Sequence, residues 1–147
     1  MKKLVLITLI IGAFCSSLYA QEYKVVTVVE SIVPAGLGRS RIIENKSPMN
    51  VNDFTTERTD GKDSKLGDVK RGDAKVDAFA ETKILNFFSI GGINFQNIAS
   101  NDALIGSKIN DLSKQGWKLL FVTSGVESNA GSQDGEGIFI TRLIFSK

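Results

Sequence analysis

The stretch NDLSKQGWKLLFVT, near the C-terminus, constrains the fold of this chain more than any other. Upstream of the glycine, Ile105, Ile109 and Leu112 recur at i, i+4 and i+7, which places them on one apolar stripe of a helix. Gly116 follows, and glycine adopts without a Cβ penalty the left-handed conformation in which many helices end. The pattern therefore predicts a helix that ends at Gly116 and a strand that begins at once, with Trp117 closing the core at the joint.

The start of this helix is predicted from capping chemistry. Ser100 or Asn101 offers a side-chain oxygen for the first turn, and Asp102 follows where the helix dipole favours an acid. Lys108 and Lys114 fall outside the apolar stripe and are assigned to the solvent side. The helix is therefore expected to begin near residue 100.

Segments rich in β-branched and aromatic residues predict a mainly antiparallel sheet of about 4–5 strands. Four such segments are Glu22–Ile32, Arg39–Glu44, Trp117–Thr123 and Ile138–Ser146. The last two form a hairpin with a long tip, and Glu81–Ile98 reads as two extended halves joined by a bulge or a tight bend at Gly91-Gly92. The predicted fold class is α+β, with one amphipathic helix packed on one face of the sheet.

The closing strand carries apolar residues on both faces. Two apolar sets alternate along it: Ile138, Ile140 and Ile144, and Phe139, Leu143 and Phe145. A strand with one buried face alternates apolar and polar residues instead, and one helix covers only one face. The second face is expected to be covered by the Phe-rich segment at 81–98, by residues 45–77 or by another subunit, and an oligomer is the preferred interpretation.

Residues 45–77 differ in character from the rest of the chain. Acids and bases alternate almost residue by residue, and Leu66, Val69 and Val76 are the sizeable apolar residues of its charged part. Such a stretch buries too little apolar surface to offset the entropy lost on ordering. We interpret it as a charged, flexible excursion from a single globular domain, and its RGD tripeptide at 71–73 as a chance match.

The N-terminus has the form of a signal peptide. Lys2 and Lys3 precede the apolar run LVLITLIIGAF, and a cut after Ala20 would leave Gln21 first. A cut after Ser17 is the alternative. The run is too short to span a bilayer, so the domain, residues 21–147, is expected to be exported to the periplasm or beyond and not to be an integral membrane protein.

Composition excludes several chemistries. The chain contains no His, and its only Cys, Cys15, lies in the predicted signal peptide. The mature domain therefore lacks the residues of a Ser-His-Asp triad, a Cys-His pair, a disulfide or a usual zinc site, and no cofactor or metal is predicted. Lys2 and Lys3 account for the whole excess of 18 basic over 16 acidic residues, so no nucleic-acid partner is expected.

The remaining candidate site residues are charged. Arg39 and Arg41 alternate onto one strand face and are weak candidates for gripping a carboxylate or phosphate, although an edge strand kept soluble by charge is the favoured interpretation. The acids that flank ordered strands are Glu30, Glu44 and Glu81, and a hydrolase would need two of them at a set separation. Asp134 and Glu136 are weak calcium candidates in a polar loop.

The two ends of the chain resemble a known family. The residues that carry the likeness are Tyr23, Lys24, Val25, Leu112, Gly116, Trp117 and Leu119. This Tyr-Lys-Val strand and Leu…Gly-Trp-x-Leu joint resemble the small bacterial domain-of-unknown-function family 4177, with residues 39–98 departing from its compact pattern as a large insertion. The resemblance implies the fold and a structural signature at Tyr23, Lys24, Gly116 and Trp117, and it carries over no catalytic residue.

These observations favour a non-catalytic binding or assembly module of the bacterial cell envelope, with a protein partner or a second copy of itself. Two alternatives stay open. One is a carboxylate-based hydrolase of envelope polysaccharide, because acids are the catalytic class left in quantity. The other is a small-ligand sensor that uses a cleft beside Gly91-Gly92.

Overall fold

The computed structural model describes residues 21–33, 39–62, 64–89, 91–127 and 137–147. The predicted signal peptide and the acids Asp134 and Glu136 lie outside the described residues. The regular elements, in chain order, are β1 (Tyr23–Ser31), β2 (Arg41–Asn45), β3 (Phe79–Lys83), β4 (Phe88–Ser89), β5 (Gly92–Ile93), α1 (Phe95–Lys114), β6 (Lys118–Val126) and β7 (Ile138–Ser146). No helix in these ranges is long and apolar enough to cross a membrane.

Five of the strands form one antiparallel sheet in the order β3-β2-β1-β7-β6. The first and last strands pair along their whole length, from Tyr23 opposite Ser146 to Ser31 opposite Ile138. α1 packs on one face of this sheet, so the predicted α+β class and the predicted strand number are confirmed.

The core lies between α1 and this face. Its buried members come from β1, β2, α1, β7 and the residue that follows β3: Val26, Val28, Ile42, Ile84, Leu112, Leu143 and Phe145. The predicted stripe of α1 faces it, because Ile105 and Ile109 pack against the cluster and Leu112 belongs to it. The face of the sheet that carries this core is called the covered face below, and the opposite face is called the bare face.

The end of α1 forms as the sequence predicts. Gly116 has φ +89, its N–H donates to the Ser113 carbonyl (2.9 Å), and the N–H of Trp117 donates to the Leu112 carbonyl (3.0 Å). These two bonds define a Schellman motif, which satisfies the last carbonyls of the helix and reverses the chain. Trp117 consequently packs against the core cluster, and β6 begins at the next residue.

The predicted start of α1 is wrong by about one and a half turns. The helix begins at Phe95, and the side chain of Asn94 caps it by accepting from the N–H of Asn97 (3.2 Å). The apolar density around Phe95 and Ile98 predicts a strand. In the structure both residues lie in the first turn of the helix instead, and the side chain of Phe95 is 77% exposed. Asn101, predicted as a cap, is fully buried in the middle of the helix instead.

Buried amides fix the segment that crosses from β3 to α1. Asn101 accepts from the N–H of Leu85 (2.8 Å) and donates to the carbonyl of Leu85 (2.7 Å) and to Glu30 Oε1 (3.0 Å). Further along, β4 and β5 form the predicted bend at Gly91-Gly92 as a two-stranded ladder. The Phe87 ring lies against Phe139 with centroids 5.6 Å apart.

Residues 46–78 connect β2 to β3 and contain two short 3-10 turns, Val51–Phe54 and Lys65–Asp68. The connection is closed at its base, where Lys46 N–H donates to the Ala78 carbonyl (3.0 Å). No described residue within it is buried. The excursion therefore adds nothing to the core, and its flexibility stays a prediction.

Candidate interaction surface

The sheet has two edges, and β3 forms one of them. This strand has five residues, FAETK, with two charges among them. Glu81 is engaged by the guanidinium of Arg41 on the neighbouring strand. Short strands and charged side chains are the common means by which proteins discourage unwanted strand pairing. The β3 edge is therefore protected.

The other edge, β6, lacks the short length and the central charge that protect β3. It is nine residues long, KLLFVTSGV, and every one of them is exposed. Its single charge, Lys118, stands at the first position, while Leu120 is 57% exposed and Phe121 59%. An exposed, long and apolar edge strand is a template for pairing with another chain.

A β-bulge at Leu120 sets which residues of β6 face which side. The register with β7 shifts between Leu119 and Phe121. Beyond the shift, Phe121, Thr123 and Gly125 lie opposite Ile144, Arg142 and Ile140, respectively. These residues point to the bare face of the sheet because side chains alternate along a strand. The bulge thus brings an aromatic ring onto the bare face.

Where β1 and β7 form it, the bare face carries apolar side chains around Arg142. Val25 on β1 is 47% exposed, and Ile140 and Ile144 on β7 are half-buried. Arg142 stands exposed between these isoleucines. The predicted two-sided apolarity of the closing strand is confirmed, because Leu143 and Phe145 are buried on the covered face while the isoleucines lie on the other.

The Phe-rich segment does not cover the bare face as one interpretation expected. Its Ile84 belongs to the core cluster beneath α1, and its Phe87 ring contacts Phe139, which alternates with the isoleucines and so lies on the covered face. Within the described ranges, Val25 and Phe121 stay about half-exposed. The surface formed by β6 and the bare face is called the open surface below.

Three of the four residues of the predicted structural signature, Lys24, Gly116 and Trp117, come together at the end of α1. The Lys24 ammonium lies 4.9 Å from the centroid of the Trp117 ring, and that of Lys147 lies 5.9 Å from it, which are cation–π distances. A Cβ on Gly116 would touch the Lys147 side chain at 3.4 Å. Tyr23 stands apart: it is 61% exposed and donates to Gln21 Oε1 (3.1 Å).

Glu44 is the centre of an adjoining charged cluster. It is only 3% exposed, and its carboxylate accepts from Lys24 (3.0 Å) and Lys46 (2.9 Å) and from Lys108 of α1. Burial alone would raise the pKa of Glu44, but hydrogen bonds from the three lysines outweigh it and lower the pKa from 4.5 to about 2. Glu44 therefore stays ionised at neutral pH, which does not suit a general acid, and the assignment of Lys108 to the solvent side is wrong.

The other predicted acids are held in separate contacts. Glu30 accepts from Asn101, whereas Glu81 pairs with Arg41 on the opposite face of the sheet. In the hydrogen bonds of the described residues, no two of Glu30, Glu44 and Glu81 share a partner. The pair of facing carboxylates that a hydrolase requires is not assembled from these three.

The two arginine candidates have different settings in the structure. Arg41 donates to the Arg39 carbonyl (2.9 Å) and also pairs with Glu81, so its guanidinium group is already engaged by neighbouring residues. Arg39 is exposed, has φ +50 and precedes the strand. The edge-strand interpretation of this segment is wrong, because β2 lies between β1 and β3.

Two further features bear on ligands. A shallow depression of about 570 Å³ lies in the excursion, lined among others by Asp53, Lys65 and Asp73; it is distant in sequence from the predicted cleft at Gly91-Gly92. No group of three or more His, Cys, Asp or Glu that could hold a metal occurs within the part of the chain that the structure describes. Acids and lysines alternate around the depression, so it presents no concentrated charge.

Comparisons of the chain with protein-family models, with curated proteins and with solved structures find no match. The resemblance to family 4177 therefore stays a prediction.

Proposed function

We propose that this chain is an exported, non-catalytic binding and assembly module of the bacterial cell envelope. The observation that carries the proposal is the contrast between the two sheet edges: β3 is short and charged, whereas β6 is nine residues long, apolar and exposed throughout. An unprotected edge supplies a row of backbone donors and acceptors, which give affinity to an added strand, while neighbouring side chains give specificity.

Export is supported by the sequence of the first 20 residues, which has the order of a signal peptide. The non-catalytic part is supported by the chain's chemistry. Glu44 is held ionised by three lysines and Glu81 pairs with Arg41, so these two carboxylates serve the fold.

The proposal is tested in cells with a matched pair of probes. A photo-reactive phenylalanine analogue replaces either Phe121 on β6 or Phe79 on β3, since both are phenylalanines on edge strands and are 59% and 49% exposed. We expect cross-linked products in the envelope fraction from position 121 and none from position 79. N-terminal sequencing of the same fraction is expected to start at Gln21.

Two outcomes would overturn the proposal. One is retention of the chain in the cytoplasm with residues 1–20 attached. The other is equal cross-linking, or none, at the two positions, because β6 would then bind no more partner than the protected β3 edge does.

A further inference from the structure

We infer that the occupant of the β6 edge is a second copy of this chain, paired antiparallel to the first across a two-fold axis at Thr123. This inference rests on the proposed assembly function and names its partner. The two sheets would join into one continuous ten-stranded sheet, since each copy contributes five strands in the order β3-β2-β1-β7-β6.

Symmetry restricts the register of such a pair. When two identical strands run antiparallel about an axis perpendicular to the sheet, one residue must face its own counterpart, and facing residues point to the same side. Centring the axis on Thr123 places Phe121 opposite Gly125 of the second copy. Centring it on Val122 would place Phe121 opposite Thr123, and centring it on Ser124 would place it opposite Glu127.

The Thr123 register is favoured by shape. Phe121 is 59% exposed, and a Cβ built on Gly125 would have nothing within 4 Å. An aromatic ring laid over a glycine on the neighbouring strand covers backbone that otherwise stays in water, and such pairs are used to fix register in sheets. Two-fold symmetry makes this contact twice, once on each side of Thr123.

The same register is favoured by charge. The bulge at Leu120 absorbs one residue, so Lys118 and Glu127 lie equally far from Thr123 when counted in strand positions. Each end of the paired strands then brings the Lys118 ammonium of one copy to the Glu127 carboxylate of the other. Both residues are exposed, and neither has an ion-pair partner among the described residues.

The area of the contact is that of a weak, transient pair. Each copy contributes the large apolar side chains Leu120, Phe121, Val122 and Val126, which are 47–60% exposed. At on the order of 100 Å² for each side chain with its backbone, the contact buries roughly half of the 800 Å² per partner that is typical of stable complexes. The dimer is therefore expected to have a Kd in the micromolar range, about 1–100 µM.

The first test measures assembly of the full chain, purified as its host produces it, by sedimentation equilibrium. Thr123→Lys brings two like charges together at the axis and is expected to raise the Kd at least about 100-fold. Thr82→Lys, a matched change on the exposed β3 edge, is expected to leave it unchanged. A mixture of the Thr123→Lys and Thr123→Glu chains is expected to pair again, which excludes misfolding as the cause.

The second test fixes the register. Thr123→Cys is expected to form a disulfide-linked dimer under mild oxidation, because the two Cα atoms would be about 5 Å apart. Val126→Cys is expected not to, since its two copies would lie about 20 Å apart. The unsubstituted chain, whose only cysteine is Cys15, is oxidised in parallel to measure any disulfide that Cys15 itself forms.

Lys118→Glu is expected to weaken the dimer about tenfold, and adding Glu127→Lys to this variant is expected to restore the dimer.

A chain that stays monomeric at concentrations well above about 100 µM, with its far-UV circular dichroism intact, would overturn the inference. Cross-linking of Val126→Cys as efficient as that of Thr123→Cys would overturn the register and with it the symmetric pair. If the chain is monomeric but position 121 still cross-links to a different envelope protein, the inference of a second copy as partner is wrong, whereas the proposed assembly function is supported.

Discussion

Phe145 and Phe121 belong to adjacent strands of one sheet, yet Phe145 is fully buried beneath α1 and Phe121 is 59% exposed on the bare face. The charged residues divide in the same way. Glu44 is buried among three lysines on the covered face, while Glu81 and Arg41 form an exposed pair on the bare one. Residue type alone therefore does not decide what a side chain does here. The covered face holds the fold together, and the bare face with its open edge is available for association.

The largest expected difference between the faces is in the two phenylalanines. Phe145→Ala removes a fully buried ring and leaves a cavity, so it is expected to lower the free energy of unfolding by about 3–5 kcal/mol. Phe121→Ala is expected to lower it by less than about 1 kcal/mol in the monomer. Urea titrations at low protein concentration measure both, and equal losses would contradict the division of the two faces.

A second expected difference is in the two carboxylates and their response to pH. Because the pKa of Glu44 is about 2 in the fold and 4.5 without its partners, its contribution is fully present above pH 4.5 and is lost as the pH falls towards 2. A shift of this size corresponds to a stability change on the order of 3 kcal/mol. Stability measured from pH 7 to pH 2 in the wild type and in Glu44→Gln tests this, because the variant is expected to lose most of the acid-dependent change.

The matched control for that experiment is Glu81→Gln. An exposed ion pair contributes at most about 1 kcal/mol, so this variant is expected to remain close to the wild type at pH 7 and to keep its acid sensitivity. A Glu81→Gln loss as large as that of Glu44→Gln would show that the exposed pair also holds the sheet together.

The smallest expected effect concerns the turn that directs the chain after α1. Gly116 has φ +89, and a Cβ there would meet nothing closer than 3.4 Å. Gly116→Ala is therefore expected to lower the stability by about 1 kcal/mol through backbone strain and not through a clash. Gly106→Ala, inside α1 with open space around it, is expected to raise stability by up to about 1 kcal/mol. Thermal unfolding of the two variants should give shifts of opposite sign.

The parts of this structure that follow local rules could be predicted from the sequence. The turn at Gly116 needs only glycine after an amphipathic run, and the bounds of β7, Ile138–Ser146, follow from an unbroken β-branched and aromatic run that begins directly after Gly137. The start of α1 could not be placed, since Phe95 carries the apolar signal of a strand while Asn94 supplies the cap.

The charged cluster and the open surface depend on long-range placement. Glu44 meets Lys24 and Lys108, which are 20 and 64 residues away in the chain, and no local pattern indicates that they converge. The apolar character of both faces of β7 predicted that the helix covers only one of them and that something else covers the other. To identify β6, and not β2, as the open edge, one must know the order of the strands in the sheet. Local sequence does not encode that order.

The pairing of β1 with β7 has a consequence for how the chain folds. β1 lies at the centre of the sheet, but one of its two neighbours is β7, the strand of this sheet that is farthest from it along the chain. One side of β1 consequently lacks its partner until residues Ile138–Ser146 have left the ribosome. Folding cannot be completed strand by strand during synthesis, and contacts so distant along the chain make the closing step slow. A chain truncated before Ile138 would leave its central strand half-paired and prone to aggregate.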